Sequence, residues 1–139
     1  MGPEISSGKK IIKAASACVW RDGHVLLARR GKMLGRGLWS LPGGKQEARE
    51  SEAETAAREL LEETGVVADL RLRVGLYHID IDDVRYAIAC FTGLYLAGEA
   101  RPASDSDAIA WVSPGQLSAY PLAFNTREAV SAAHKLIKP

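Results

Sequence analysis

Between Glu47 and Glu63 the chain carries seven glutamates against two arginines, a local balance of about −5 in a 139-residue sequence whose formal net charge is +1. The stretch around it, Trp39 to Val66, reads W-S-L-P-G-G-K-Q-E-A-R-E-S-E-A-E-T-A-A-R-E-L-L-E-E-T-G-V. Pro42-Gly43-Gly44 does not continue a strand, and its glycines admit close backbone approach. Ser51 followed three residues later by Glu54 is a capping box, which starts a helix at Ser51. Ala53, Ala56, Ala57, Leu60 and Leu61 recur at helical spacing as one apolar stripe, and Gly65 stands where a C-terminal cap needs positive φ. The predicted helix runs from Glu52 to Thr64.

On that helix Glu59, Glu62 and Glu63 fall within about a third of the circumference, on a side well away from the predicted stripe. Like charges at this spacing repel by a few tenths of a kcal/mol, and the C-terminal end of a helix disfavours negative charge. An acidic solvated face is the plain alternative. A hard divalent cation removes the conflict, because it takes carboxylate oxygens and still holds water and phosphate in its shell.

Gly44, Glu50, Arg58-Glu59-Leu60, Glu62-Glu63 and Gly65-Val66 occupy nine fixed positions over 23 residues, and this spacing resembles the Nudix box. The lead-in G-L-W-S-L-P-G-G is similar to that family as well. The resemblance implies an α/β fold, the Nudix α/β/α sandwich with a mixed β-sheet flanked by helices, over residues 11–139. It implies Glu59, Glu62 and Glu63 as ligands of catalytic Mg²⁺ or Mn²⁺, with Gly44 shaping the metal site through its backbone. Glu50 resembles the auxiliary acid and Arg58 the structural arginine, with Glu62 at i+4 in salt-bridge reach. Asp105, six residues before Trp111, resembles a loop acid that joins the metal site or acts as general base; Asp107 is the second choice. Arg49 departs from the glycine that many relatives carry there and adds a cation beside the substrate.

The remaining chain reads as one domain. Composition is ordinary, 47% hydrophobic and 25% charged, and the near-neutral balance argues against a nucleic-acid polymer or a membrane as partner. Residues 1–10 are polar and read as a disordered arm. Ala15-Ser16-Ala17-Cys18 follows Lys9-Lys10 as in a lipoprotein leader, but Lys13 interrupts the apolar stretch, so Ile11–Trp20 reads as the first core strand. Asp22-Gly23 turns it into a partner strand, Val25–Ala28. Arg29 and Arg30 read as solvated strand-end charges or, in one of them, as a phosphate contact. Gly31–Gly37, with Lys32 and Arg36, is a basic glycine-rich loop without a Walker A pattern. Trp39 reads as a core or rim residue, with base stacking the alternative.

Asp69–Asp82 and Tyr86–Leu96 read as strands around an Asp82-Asp83 turn, Gly98–Ser106 as a polar loop, and Trp111 as the opening of the last strand. His78 reads as a strand histidine. Pro114–Leu117 forms a short turn or helix. A closing helix follows, with Asn125 and Glu128 as its capping box and Ala129, Val130, Ala133, Leu136 and Ile137 as its stripe. Phe124 and Asn125 lie near where some relatives contact a base. Cys18 and Cys90 read as free core thiols, which suits a cytoplasmic protein.

The implied activity is metal-dependent hydrolysis of the phosphoanhydride in a nucleoside diphosphate linked to another group, the substrate being a small nucleotide. ADP-ribose or another nucleotide sugar and a canonical or oxidised nucleoside triphosphate both remain open. The proline of some ADP-ribose enzymes is replaced by Asp80-Ile81-Asp82, and the S-Q-P-W-P-F-P signature of NADH-cleaving members is missing. A nucleotide-sensing module without turnover is the alternative, and an allylic diphosphate isomerase ranks below it. A homodimer is compatible with the family.

Overall fold

The computed structural model describes residues 5–6, 8–31 and 36–139. In chain order the elements are β1 (Ile5–Ser6), β2 (Lys9–Arg21), β3 (His24–Arg30), β4 (Trp39–Ser40), β5 (Gly43–Lys45), α1 (Glu52–Thr64), β6 (Val67–Ala68), β7 (Leu72–Ile81), β8 (Val84–Ala97) and β9 (Ser106–Val112). A 3₁₀ turn at Pro114–Ala119 and α2 (Thr126–Ile137) complete it.

The sheet is mixed because β2 and β8 run parallel, from Lys10 opposite Val84 to Trp20 opposite Leu94. The other strand pairs among the described residues are antiparallel: β7 and β6 on β8, β1, β3 and β5 on β2, and β9 and β4 on β3. Strands at the centre of such a sheet bury both faces and read as unbroken apolar runs. Ala14–Trp20 of β2 is buried throughout for that reason. Ala15, Ala17, Val19 and Leu26 meet Ala56 and Leu60 of α1 together with Ala89 and Phe91. Cys18, Trp20, Val25, Leu27 and Cys90 meet Ala129, Val130 and Ala133 of α2 on the opposite face. The α/β/α layering follows, with both cysteines free and buried. No helix among the described residues is long and apolar enough to cross a membrane.

Several expectations shift. Ile5–Ser6 pairs with Lys9–Lys10 as a short hairpin, so the described part of the expected disordered arm is strand, and β2 begins at Lys9. Residues 1–4 and 7 of the arm, and residues 32–35 of the basic loop including Lys32, lie outside the described residues. Gly43–Lys45 forms a three-residue strand against Ala14–Ser16 where a loop was expected. It can do so because a β-carbon at Gly43 would stand 2.5 Å from the Ala15 carbonyl oxygen. β7 carries a bulge between Arg73 and Gly75 that breaks its alternation. β9 opens at Ser106, with Trp111 near its end. Leu136 of the α2 stripe is exposed.

Candidate functional site

Helix α1 forms as its caps dictate. Ser51 Oγ accepts from the Glu54 N–H at 3.1 Å, the Glu54 carboxylate accepts from the Ser51 N–H at 2.8 Å, and Gly65 closes the helix at φ +76°. Its buried face differs from the predicted stripe. Ala57 and Leu61 are exposed, whereas Thr55, Ala56, Leu60, Glu63 and Thr64 are buried. Thr55 and Thr64 enter the core because their hydroxyls are satisfied there: that of Thr64 donates to the Leu60 carbonyl at 2.7 Å, and that of Thr55 shares its proton between the Ser51 carbonyl at 3.0 Å and Glu50 Oε1 at 2.9 Å. Glu63 therefore projects about 20° from Ala56, toward the sheet rather than away from it.

Arg58 is the hub of the acidic cluster. Its Nε donates to Glu50 Oε2 at 2.6 Å, its Nη2 to Glu50 Oε1 at 3.1 Å and to the Lys45 carbonyl at 3.0 Å. Nη1 reaches Glu59 at 3.0 Å and the two Glu62 oxygens at 3.1 and 3.2 Å. Glu50 also accepts from the Thr55 hydroxyl and the Glu47 N–H, both at 2.9 Å. Chiefly the Arg58 hydrogen bond lowers the Glu50 carboxyl to about 2, and the same contact raises Arg58 above its ordinary value.

Glu59 and Glu63 touch each other. Burial first, then the hydrogen bond and charge of Glu59, push Glu63 well above the usual carboxylate range, against the opposing pull of Arg30 and the Gly43 N–H. Gly44 closes the cradle: a β-carbon there would sit 2.5 and 2.7 Å from the two Glu59 oxygens. Two carboxylates pressed together at a water-poor wall are what a hard divalent cation stabilises, so the donor set fits such an ion in kind. Among the described residues no three ligand-type side chains converge on one point. Glu62, half exposed, is turned to Arg58.

A cavity of about 380 Å³ opens beside this cluster. Glu59, Gly44, Lys45, Arg30 and Asp105 line one end; Tyr77, Ile79, Ile81, Tyr86, Ile88 and Phe124 line the other, with Asn125 and Thr126 from the start of α2. The apolar end exists because Ile79 stands opposite Tyr86 and Tyr77 opposite Ile88 across β7 and β8, at the N-terminal end of α2. Asn125 makes no side-chain cap on α2, correcting the expected capping box; its Nδ2 donates to the His78 carbonyl at 3.2 Å instead.

A second, water-sized cavity of about 20 Å³ lies among Arg29, Arg30, Ser40, Glu63, Asp105 and Ser106. Arg29 itself is committed to Asp107 at 2.7 Å. Trp39 lines neither cavity; it packs edge-on to Tyr120, ring centroids 5.1 Å apart, with Arg29 over its face. Arg49 is exposed and lines neither of these two cavities. Thus Gly44, Glu59, Arg30, Asp105 and Asn125 meet in the large cavity, Glu63 lies behind them, and Glu50, Arg58 and Glu62 form the supporting network. The walls Tyr77, Ile79, Ile81, Tyr86 and Ile88 went unassigned in the sequence. Their signal is an apolar set placed in phase on two paired strands with more members than α2 can cover.

The NUDIX domain family model matches residues 10–133. The chain is 32% identical over 115 residues to the CTP pyrophosphohydrolase of Escherichia coli, covering 82% of this chain and 84% of that one. It is 41% identical over 116 residues to a putative 8-oxo-dGTP diphosphatase 2 of Mycobacterium tuberculosis, covering 76% and 75%. Among solved structures, the MutT protein of Methanosarcina mazei superposes with a TM-score of 0.83 at 27% identity, over 96% of this chain and 100% of that one.

Proposed function

This chain belongs to the Nudix family of pyrophosphohydrolases, which act on nucleoside diphosphate derivatives with divalent metal ions, and from that premise we propose that its substrate is a nucleoside triphosphate. The observation that carries the reading is the two-ended cavity: an apolar, aromatic end suited to a base, continuous with a charged end suited to phosphates. Two relatives whose names specify triphosphates, CTP and 8-oxo-dGTP, point the same way.

Glu59 and Glu63, joined by Glu62 on its release from Arg58, would hold Mg²⁺ or Mn²⁺, and Gly44 leaves room for the Glu59 carboxylate. When bound, the ion neutralises phosphate charge and makes water a better nucleophile. Arg30 binds a phosphate oxygen at the charged end. Asp105 accepts the proton of the attacking water, whose oxygen forms a new bond to phosphorus as the bridging P–O bond breaks. Tyr86 and Phe124 hold the base, and Asn125 meets its polar edge. Cleavage between the α and β phosphorus atoms releases a nucleoside monophosphate and pyrophosphate.

Chromatography of products from ordinary and oxidised nucleoside triphosphates, ADP-ribose and dinucleoside polyphosphates, with Mg²⁺ present, tests this. Monophosphate plus pyrophosphate from a triphosphate is expected. AMP plus ribose phosphate from ADP-ribose as the preferred reaction overturns the substrate assignment. Tight binding without turnover of any of them restores the sensing alternative.

A further inference from the structure

We propose that Ser106 is a positioning residue for this reaction, fixing the loop acid Asp105 beside Glu63 by tying the 98–106 loop to the C-terminal end of α1. The inference rests on the reading above, in which Asp105 takes the proton of the attacking water.

The last carbonyls of a helix have no partner within it and must find one outside. In α1 the loop supplies them: the Arg101 N–H donates to the Thr64 carbonyl at 3.0 Å and the Ala103 N–H to the Glu63 carbonyl at 3.1 Å. The side chain of Ser106 makes the third tie. Its hydroxyl, buried at 8% exposure, lies 2.8 Å from the Glu63 carbonyl and 3.0 Å from that of Ala103, and it accepts from the Ala103 N–H at 3.2 Å. Glu63, which lines the water-sized cavity, is thus held by its backbone to the residue next to Asp105.

The rest of the loop is built to make that tie matter. Ser104 takes φ +55°, turning the chain immediately before Asp105. The Asp105 carbonyl accepts from the Gly31 N–H at 2.8 Å, anchoring its other side to the end of β3. β9 then bulges, with Arg29 opposite Ala108 and Arg30 opposite Ser106. Asp107 is the extra residue, and its side chain goes to Arg29. A bulge re-aims side chains beside a site; here it turns Ser106 inward and Asp107 outward, so that Asp105 shares the small cavity with Glu63, Arg30 and Ser40. At about 20 Å³ and with polar walls, that cavity suits a single water.

The test uses the full chain with Ser106→Ala, Ser106→Thr, Asp105→Asn and the double variant Ser106→Ala/Asp105→Asn. Ser106→Ala should lower kcat about tenfold with KM changed less than about twofold, as small misplacements of a reacting group do. Ser106→Thr, which keeps the hydroxyl on a strand residue, should restore most of the rate. On the Asp105→Asn background, itself slowed, Ser106→Ala should change kcat by less than about twofold, because both act through one group. Amide exchange at Gly31 should quicken about tenfold in Ser106→Ala and not in Ser106→Thr. An equal rate loss in both backgrounds, unchanged kcat in Ser106→Ala or Asp105→Asn, or unchanged Gly31 exchange overturns the proposal. If the unmodified protein turns over no nucleotide, the functional reading has failed separately, and Gly31 exchange still decides whether Ser106 fixes the loop.

Discussion

Arg58 holds Glu50 through two nitrogens, at 2.6 and 3.1 Å, while the same guanidinium reaches Glu62 at 3.1 Å from its other side. One cation therefore sets the place of the acid that starts the cluster and of an acid near its end. The Glu50 oxygens accept from Arg58, Thr55 and the Glu47 N–H, and the residue lines neither cavity described above.

The Glu50 carboxyl is held at about 2 against an ordinary 4.5, chiefly by Arg58. A folded-state pKa depressed in this way adds stability that is fully present above the ordinary value and is lost as pH falls toward 2. Thermal melts of the wild type should therefore lose midpoint steeply between about pH 4.5 and 2. Glu50→Gln should start lower at neutral pH and fall less over that window. Parallel curves for the two proteins would dissociate Glu50 from the acid response.

Glu62→Gln and Glu63→Gln should both lower turnover by roughly 100-fold or more, the scale of losing a charged ligand of a catalytic ion. Stability should move oppositely to activity in Glu63→Gln, since a neutral amide relieves the burial and the Glu59 repulsion acting on that carboxylate. Calorimetry beside steady-state kinetics reads both effects, and chelation followed by Mg²⁺ return should abolish and restore wild-type turnover. Full activity in either variant removes that glutamate from the metal site.

Much of the fold was legible because its determinants are local. The Ser51–Glu54 box, the Gly65 cap and the Asp22-Gly23 hairpin each depend on residues within a few positions of one another. The buried face of α1 was legible in part: Ala53, Ala56 and Leu60 of the predicted stripe meet the core, but Thr55 and Thr64 join them because their hydroxyls find partners nearby, while Ala57 and Leu61 stay outside. The glutamates at 59, 62 and 63 were readable as a group, but that Arg58 holds both Glu59 and Glu62, while Glu59 also acts on the buried Glu63, depends on side-chain partners across a turn. The base-sized cavity was the least visible part, since it arises from the register of β7 on β8 and from where α2 begins.

Asn125 shows that competition at α2. Its amide is spent on the His78 carbonyl, so Asn125→Ala removes no helix cap. The stability loss should stay under about 0.5 kcal/mol, below the roughly 1 kcal/mol of a lost cap. KM should rise several-fold with kcat little changed, because the side chain lines the cavity and, on the proposed reading, meets the base rather than the reacting phosphate. A large drop in melting temperature with unchanged KM would return Asn125 to a structural role.

Arg49 is one of six described residues other than glycine with positive φ. It sits at φ +70° in the loop before Glu50, a conformation that presses a β-carbon toward the following carbonyl and costs an L-residue about 1–2 kcal/mol. Its side chain is exposed and lines neither cavity, so nothing at the site offsets that strain. Glycine adopts the angle freely but gives back about 0.5–1 kcal/mol through the greater freedom of its unfolded chain. The balance favours Arg49→Gly by about 0–1.5 kcal/mol, a gain of up to a few degrees in melting temperature for a domain of this size. Turnover should be unchanged. A fall in stability would mean that the arginine makes a contact outweighing its backbone strain, and a fall in kcat/KM would mean that its charge reaches the substrate after all.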